Sequence, residues 1–461
     1  MNQKSMYNQG SLLQFSPFLV FLFLYMTLSL CTTHASYDIQ TAQTIRYGLP
    51  IFSAFIATIF GLFFTFTDKK NIHQKIEVFL DGAANPTILY MYFIFIFSTT
   101  LSHILDLSGG LNSAINVGLS YMPTTYMLPS MFMLTSVFSF ATGTSLGSIA
   151  ALMPIAHGIA ISLHINPALM AAVVVSGSMF GDNLSVISDT TIAATRSTNS
   201  KMTAKFKENI YIATPAFLIT LGLLFYMSDS TLDPTILTAN IHLTQIDYIN
   251  VLPYALVLLL AFAGVEVLAV LGAGALLGAT IGIILGKFSF LHATSFIFEG
   301  FYGQKSMVRI VILLMFISGL SKIIEHNGGF SYLLNKMSKK ATNGCQAQLL
   351  IAFLTIIINI TIAINTLSIL LTGPIAKQLA DKFNIPGGRV ACLLDVAATS
   401  TQGFLPYAPM MILASTLSNT PVFSIMKYLT YQPLLFISMI CSIMFSKFCN
   451  LECIDKKEAS Q

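Results

Sequence analysis

The feature that most constrains this chain is a polar segment, Ser176–Arg196, which directly follows an apolar run at 167–175. The segment holds two carboxylates, Asp182 and Asp189, among hydroxyl and amide side chains. A carboxylate is costly at the centre of a membrane-spanning helix, and irregular polar backbone at that depth is tolerated only inside protein or beside a watery cavity. The segment therefore predicts an ion or substrate site in a broken transmembrane helix. An ordinary aqueous loop is the alternative, because Arg196 indicates that water is near.

Composition places that segment in a membrane protein. The chain has 461 residues, of which 55% are hydrophobic and only 9% are charged, whereas soluble domains carry about 25% charged residues. We therefore expect an all-α polytopic protein whose main partner is the lipid bilayer. The net charge of +4 gives no sign of nucleic-acid binding. We expect no cofactor and no enzymatic activity, and a homodimer is one option for the assembly.

Apolar segments of about 20 residues predict about ten transmembrane helices. The first of them resembles a cleaved signal peptide, but its length favours a spanning helix. Two longer segments, 127–163 and 349–377, carry polar breaks at Thr142–Ser148 and Asn365–Ser368, so each predicts a re-entrant hairpin with its tip at membrane depth. The predicted spans are 11–31, 48–66, 86–105, 167–195, 209–227, 251–269, 270–286, 307–324, 390–416 and 431–449.

The distribution of basic residues indicates the orientation. Lysine and arginine concentrate in cytoplasmic loops, and a cytoplasmic N-terminus with both hairpins returning to their side of entry places most of the 23 basic residues inside. This topology puts Lys205 in the cytoplasm and Asp233 outside, and it leaves no lysine or arginine within the membrane. The first hairpin then enters from outside and the second from inside.

The two hairpins belong to an internal repeat at an offset of 220 residues. Because the hairpins enter from opposite sides, the repeat is inverted, an architecture in which transporters bind substrate at the repeat interface. The predicted organisation is N-terminal helices at 1–85, a first repeat unit at 86–227, linking helices at 228–306, a second unit at 307–449 and a cytoplasmic tail at 450–461. Identical pairs include Ser148/Ser368, Ile149/Ile369, Pro154/Pro374, Ile155/Ile375, Ala156/Ala376, Ala160/Ala380, Ile165/Ile385 and Ala171/Ala391.

Oxygen-bearing side chains at the four breaks form the candidate ion and proton site. Carboxylates, amides, hydroxyls and carbonyls suit hard cations, and no soft ligand accompanies them. Single hydroxyls in membrane helices more often bond to backbone or a neighbouring helix, which is the alternative for each of them. The broken helices at 167–195 and 390–416 contribute Asp182, Asn183, Ser185, Ser188, Asp189, Thr190, Thr191, Asp395 and Gln402, and the hairpin tips contribute Thr142, Thr144, Ser145, Asn365 and Thr366.

A further carboxylate, Glu266, lies outside both broken helices. If 251–269 and 270–286 are separate spans, Glu266 lies near a tight cytoplasmic turn and is open to water. A functional role and a solvated surface position are both compatible with this pattern.

Several motifs resemble the NhaC-type sodium/proton antiporter family, part of the ion-transporter superfamily. The resemblance implies a multi-pass protein of the bacterial inner membrane, built from inverted repeats, with Asp182, Ser185, Ser188, Asp189, Thr190 and Thr191 as an ion-site block. It also implies ambiguity, because relatives exchange organic acids such as malate and lactate. Glu266 departs from the neutral polar residue expected there. The matching motifs are Ala141–Ile149, Gly181–Thr191, Glu325–Gly329, Asn365-Thr366 with Gly373–Ala376, and Leu394-Asp395 with Gln402–Tyr407.

The leading hypothesis is sodium/proton exchange by alternating access. A buried carboxylate holds a proton or a cation but not both well, and Asp182 and Asp189 are the first candidates for sodium, with Asp395 second. Exchange of a small organic acid is the alternative within transport, for which the hairpin tips offer helix N-termini. An intramembrane aspartyl protease using Asp182 and Asp395 is a third hypothesis. Ion selectivity, stoichiometry and pH set point stay open.

Overall fold

The protein is helical throughout the residues that its computed structural model describes, with no β-strand among them. Those residues are 11–34, 39–65, 72–121, 124–231, 248–296, 298–299, 305–338 and 341–446. The helices up to the end of the first repeat unit are α1 Ser16–His34, α2 Ile39–Phe64, α3 Ile72–Ala83, α4 Pro86–Ser108, α5 Gly110–Tyr121, α6 Met127–Thr142, α7 Ser145–Ser162, α8 Pro167–Leu184, α9 Asp189–Thr198 and α10 Met202–Thr231.

The remaining helices form the linking region and the second unit. They are α11 Tyr248–Phe262, α12 Val267–Ile284, α13 Phe290–Ala293, α14 Lys305–His326, α15 Gly329–Ser338, α16 Gly344–Ile362, α17 Asn365–Lys382, α18 Gly387–Gln402, α19 Pro409–Leu417, α20 Val422–Met426 and α21 Tyr431–Met444.

Six helical segments among the described residues are long and apolar enough to cross a membrane, which supports the prediction of an all-α polytopic protein. Two of the six, α7 and α16, belong to the predicted hairpins, so helix length alone does not separate a hairpin from a span. The total of ten spans and the re-entrant path of the hairpins stay predictions. The six segments are Pro86–Ser108, Ser145–Ser162, Pro167–Thr198, Met202–Ser228, Val267–Ile284 and Gly344–Ile362.

The helix breaks lie close to the predicted polar segments. The first hairpin breaks at Gly143, which adopts a left-handed φ of 66°, and Thr144 Oγ1 accepts from Gly147 N at 3.3 Å to cap α7. The two broken helices are interrupted at 185–188 and 403–408. The predicted tip at Asn365–Ser368 is wrong by two residues, because the break is at 363–364 and Asn365 begins α17.

The offset of 220 residues recurs in the backbone. The helices α7 and α17 begin and end at positions 220 apart, and α8 and α18 begin at that offset. Residues with left-handed φ repeat it too, since Ala363, Asn384 and Asn419 follow Gly143, His164 and Asn199. Even one tertiary hydrogen bond repeats: Ser139 Oγ donates to Ser178 O at 2.5 Å, and Asn359 Nδ2 donates to Ala398 O at 2.8 Å. The two units therefore share one local fold.

Small residues bring the first hairpin against its broken helix. A Cβ on Gly177 would lie 2.0 Å from Thr135 Oγ1, and one on Gly181 would lie 2.1 Å from Ser136 O. Glycines four residues apart let two helix backbones approach closely, the usual means of tight packing in membranes. This close packing of α6 on α8 holds Asp182, one residue after Gly181, beside the hairpin tip.

Candidate functional site

A cavity of about 480 Å³ opens where the two units meet. Several helices begin at its wall, among them α7, α9, α12, α17 and α19. Helix N-termini carry partial positive charge and unpaired N–H groups, so they favour anions nearby. The wall holds three carboxylates, and none of the described residues that line it is a lysine, arginine or histidine. The cavity thus combines negative side chains with positive helix ends.

Two of the carboxylates come from the first broken helix. Asp182 lies in the last turn of α8, is only 8% exposed, and its Oδ1 atom has no hydrogen-bond partner. Asp189 opens α9, where Thr190 N donates to its Oδ1 at 2.9 Å. Protein surrounds Asp189 on most sides, but its side chain is accessible from the cavity. A buried carboxylate oxygen without a donor is costly unless a cation or proton occupies it.

The second unit reaches this site through its hairpin tip. Thr366 Oγ1, in the first turn of α17, donates to Asp189 Oδ2 at 2.6 Å. Hydrogen bonds to ionised groups are short and about twice as strong as neutral ones. This contact joins residues that lie 177 positions apart, so the two units meet directly at a candidate ion ligand.

The repeat pairs Asp182 with Gln402, which lies at the same offset of 220 and also lines the cavity. Gln402 Nε2 donates to Ala363 O at 3.0 Å, at the left-handed turn of the second hairpin, while its Oε1 is buried without a partner. Each unit therefore presents one buried, unpartnered side-chain oxygen to the cavity wall, one from a carboxylate and one from an amide.

The predicted site residues divide into two groups. Nine of them line the cavity: Asp182, Asp189, Thr190, Thr142, Thr144, Ser145, Asn365, Thr366 and Gln402. The others, Asn183, Ser185, Ser188, Thr191 and Asp395, lie behind its wall. In this second group, Thr191 Oγ1 donates to Ser185 O at 2.8 Å, and Ser188 Oγ lies 2.9 Å from Oγ1 of the cavity-lining Thr190.

Asp395 is paired with a lysine inside the protein. Lys205 is 1% exposed, and its Nζ atom lies 2.5 Å from Asp395 Oδ2, an ion pair by distance whose angles are too oblique for a hydrogen bond. Lys205 is thus buried rather than the surface residue that the predicted topology assumed, while its cytoplasmic side and the absence of basic residues within the membrane stay predictions. Arg389 is buried as well, at 3% exposure. The helical spacing of Lys205 with the buried Asn209, Ile212 and Ala216 on α10 was the signal for the lysine.

Glu266 is the third carboxylate of the cavity. It caps α12, since its Oε2 accepts from Leu268 N at 2.9 Å and from Ala269 N at 3.3 Å, and Tyr90 donates to its Oε1 at 2.5 Å. The predicted tight turn is present at 263–266, with Gly264 at a φ of 75°, but α12 begins at Val267 rather than at residue 270. The prediction failed to place Glu266 on the cavity and missed Tyr90, because both positions depend on tertiary packing.

The three carboxylates of the wall come from the end of α8, the start of α9 and the cap of α12. No three histidine, cysteine, aspartate or glutamate side chains among the described residues form a metal-binding cluster. A cation in this cavity would take carboxylate oxygens together with hydroxyl, amide or backbone oxygens, a donor set suited to a hard ion.

Two characterised proteins are similar to this chain over most of their length. The malate-2H+/Na+-lactate antiporter of Bacillus subtilis (strain 168) is 24% identical over 364 residues, which cover 73% of this chain and 76% of that protein. The Na+/H+ antiporter NhaC of Alkalihalophilus pseudofirmus is 24% identical over 361 residues, covering 74% and 78%. A solved structure, the Alcanivorax borkumensis YdaH transporter, overlaps 94% of this chain and 99% of its own at a TM-score of 0.40 and 14% identity, too distant to support an inference.

Membership of a family follows from a broader comparison. The model of the Na+/H+ antiporter family matches residues 42–228 and 230–448, which include both repeat units and every residue of the cavity wall. This match confirms the resemblance to NhaC-type proteins and supports a transporter rather than an enzyme. The chain belongs to the Na+/H+ antiporter family.

Proposed function

We propose that this protein exchanges sodium for protons across the bacterial inner membrane, and that the cavity between its two units holds the exchange site. Asp182 and Asp189 are the sodium and proton ligands. Thr190, Ser145 and the tip residues Asn365 and Thr366 supply neutral oxygens around them. The transported sodium and protons are the only small-molecule partners that this mechanism needs.

One observation carries the proposal: Asp182 Oδ1 is buried at the cavity wall without a hydrogen-bond donor. A proton or a desolvated cation satisfies such an oxygen, and the two exclude each other at one atom. Mutual exclusion, combined with access from one side at a time, is sufficient for antiport. On one side of the membrane, sodium dissociates from the carboxylate and a proton binds to it. On the other side, the proton dissociates and sodium binds.

The contact between Thr366 and Asp189 supports an exchange in which the two units move against each other. The hydroxyl donates across the unit interface at 2.6 Å, so separation of the units removes one ligand contact from Asp189. Transporters with repeated units move one unit against the other around a fixed site. We therefore infer that this contact belongs to one side of an alternating-access cycle.

Exchange of a small organic acid is the second candidate, and the helix N-termini around the cavity favour it. The N-cap positions of α17 and α19 are Ile364 and Ala408, which make no side-chain cap, so their first N–H groups are available to a carboxylate. The Bacillus relative named as a malate and lactate antiporter agrees with this idea. Three carboxylates on the same wall oppose it, because like charges repel an anionic substrate.

Everted membrane vesicles test the two candidates in one assay. A proton gradient is formed with a respiratory substrate, and its dissipation is followed with a quenched fluorescent amine after addition of sodium chloride. Sodium/proton exchange predicts dissipation by sodium alone, abolished in at least one of Asp182→Asn and Asp189→Asn. Potassium chloride is the matched control salt.

Sodium malate and sodium lactate added to the same vesicles separate the second candidate. If these salts dissipate the gradient while sodium chloride at equal concentration does not, the protein is an organic-acid exchanger. Equal responses to all three sodium salts support the exchange of sodium itself.

A further inference from the structure

The side chain of Lys205 lies in a pocket built of oxygen atoms behind the cavity wall. Its Nζ atom donates to Asn183 O at 2.8 Å and to Thr191 Oγ1 at 2.8 Å, and it lies 2.5 Å from Asp395 Oδ2. A backbone carbonyl, a hydroxyl and a carboxylate are the ligands that a hard cation prefers. The ammonium group therefore occupies a position with the chemistry of a cation site.

The pocket spans the two broken helices. Asn183 is in the last turn of α8, next to Asp182, and Thr191 is two residues beyond Asp189 on α9. Asp395 lies in the middle of α18 in the other unit and is fully buried. The charge of Lys205 thus links the first broken helix, α8 and α9, to α18 of the second. Side chains of these same helices line the exchange cavity.

Two further oxygens are directed toward this region without a partner. Asp395 Oδ1 and the hydroxyl of Tyr431 are both buried, and neither has a hydrogen-bond partner. Tyr431 also interacts electrostatically with Asp395. A lysine can offer three protons at most, in fixed directions. A small ion without directional bonds can take a larger set of oxygens.

We propose that the Lys205 ammonium is a resident cation that fills a second sodium site, so that this protein carries one sodium fewer per cycle than its oxygen ligands would allow. This inference rests on the sodium exchange proposed above and adds the residue that determines how many ions are carried. Lys205 moves no ion itself. Its ammonium group supplies, as a fixed positive charge, the charge that a bound sodium ion would place beside the Asp395 carboxylate.

Sodium binding to the purified full-length protein tests the idea by site count. Isothermal calorimetry at one pH, with choline replacing sodium in the starting buffer, gives the number of sodium ions bound per chain. We expect one for the wild type and two for Lys205→Ala, because truncation to alanine vacates the pocket and leaves Asp395 unpaired. Adding Asp395→Asn to Lys205→Ala removes the charged ligand, and the count returns to one.

A nearby exposed lysine controls for the loss of positive charge. Lys201 is exposed and lies directly before α10, four residues before Lys205, so Lys201→Ala keeps a count of one. A count of one in folded Lys205→Ala overturns the proposal. A wild type that binds no sodium contradicts the proposed exchange instead, and a gain of one site in Lys205→Ala still supports the resident cation.

Thermal unfolding keeps the test decisive if Lys205→Ala is unstable. An unpaired buried charge is strongly destabilising, whereas removal of both partners is tolerated. We expect Lys205→Ala to unfold at a lower temperature than the wild type in choline, and sodium to raise its midpoint more than that of the wild type. A variant that sodium does not stabilise in this way, or that is not recovered folded even in sodium, contradicts the proposal.

Discussion

Two substitutions of Glu266 separate the effect of its negative charge on cation binding from its structural role as the cap of α12. In Glu266→Gln the amide oxygen keeps the cap on Leu268 N and Ala269 N, and the amide N–H donates to the Tyr90 oxygen. The shape and the hydrogen bonds are thus retained, and only the charge is lost. Glu266→Ala loses the charge and the cap together.

The two variants should differ in stability but not in ion affinity. Loss of an N-cap costs about 1 kcal/mol, so Glu266→Ala unfolds at a lower temperature than Glu266→Gln. A cation about 8 Å from the carboxylate, at an effective dielectric constant of about 20, gains about 2 kcal/mol, which is roughly 30-fold in affinity. Water in the open cavity reduces this gain, so both variants should bind sodium about 3- to 30-fold more weakly than the wild type.

The assay is the sodium concentration that gives half-maximal dissipation of the proton gradient in everted vesicles, beside thermal unfolding of the purified proteins. Tyr90→Phe is the control that removes the 2.5 Å hydrogen bond and keeps the charge. An unchanged sodium affinity in Glu266→Gln would show that sodium binds elsewhere. Complete loss of exchange in well-expressed Glu266→Gln would make Glu266 itself an obligatory ligand.

Two further predictions concern the fold. Cysteines introduced at Lys201 and Lys205, in a chain freed of its own cysteines, should differ in reaction with an impermeant maleimide: Lys201→Cys labels from the cytoplasmic side and Lys205→Cys does not, and equal labelling contradicts the buried position. Asn359→Ala removes three hydrogen bonds, to Ala398 O, Asn365 Oδ1 and from Ser368 Oγ, and leaves buried groups unsatisfied at about 1–3 kcal/mol. Its unfolding midpoint should fall further than that of Ser139→Ala, its counterpart in the first unit.

The helix breaks were predictable because they depend on local chemistry. Glycine at 143 permits a left-handed turn, the break at 185–188 lies within the polar segment 176–196, and Pro406 disfavours helix in the break at 403–408. The repeat offset was predictable for the same reason, since both units carry similar local signals. The second tip was misplaced because Ala363 adopts its left-handed φ of 57° without a glycine to mark it.

The pairing of residues from distant segments was not predictable. Helical spacing distinguishes Lys205 from Lys201 and Lys207 as a buried position, but only the packing of α10 against α18 places it beside Asp395. Glu266 faces the cavity because of where the turn at 263–266 lies against Tyr90. Such contacts depend on the arrangement of whole helices, which periodicity and spacing do not specify.

The role assigned to Asp395 from the sequence changed because its partner, Lys205, lies on a distant segment of the chain. Its position in a polar break made it a candidate for the exchanged ion, but its carboxylate is paired with the ammonium group of Lys205. That arrangement also removes the paired carboxyls that an aspartyl protease requires. We accordingly limit the proposed exchange site to the cavity residues of α8, α9 and the two hairpin tips.

The central claim is that sodium and protons compete for Asp182 or Asp189, and sodium binding measured by calorimetry across pH tests it most directly. A carboxylate that takes up a proton loses its cation, so the sodium dissociation constant of the wild type should rise as pH falls, by about tenfold per pH unit where one proton competes. At least one of Asp182→Asn and Asp189→Asn should abolish sodium binding or remove this pH dependence. If both variants keep wild-type exchange and the same slope, the coupling carboxylate lies elsewhere and the account is wrong.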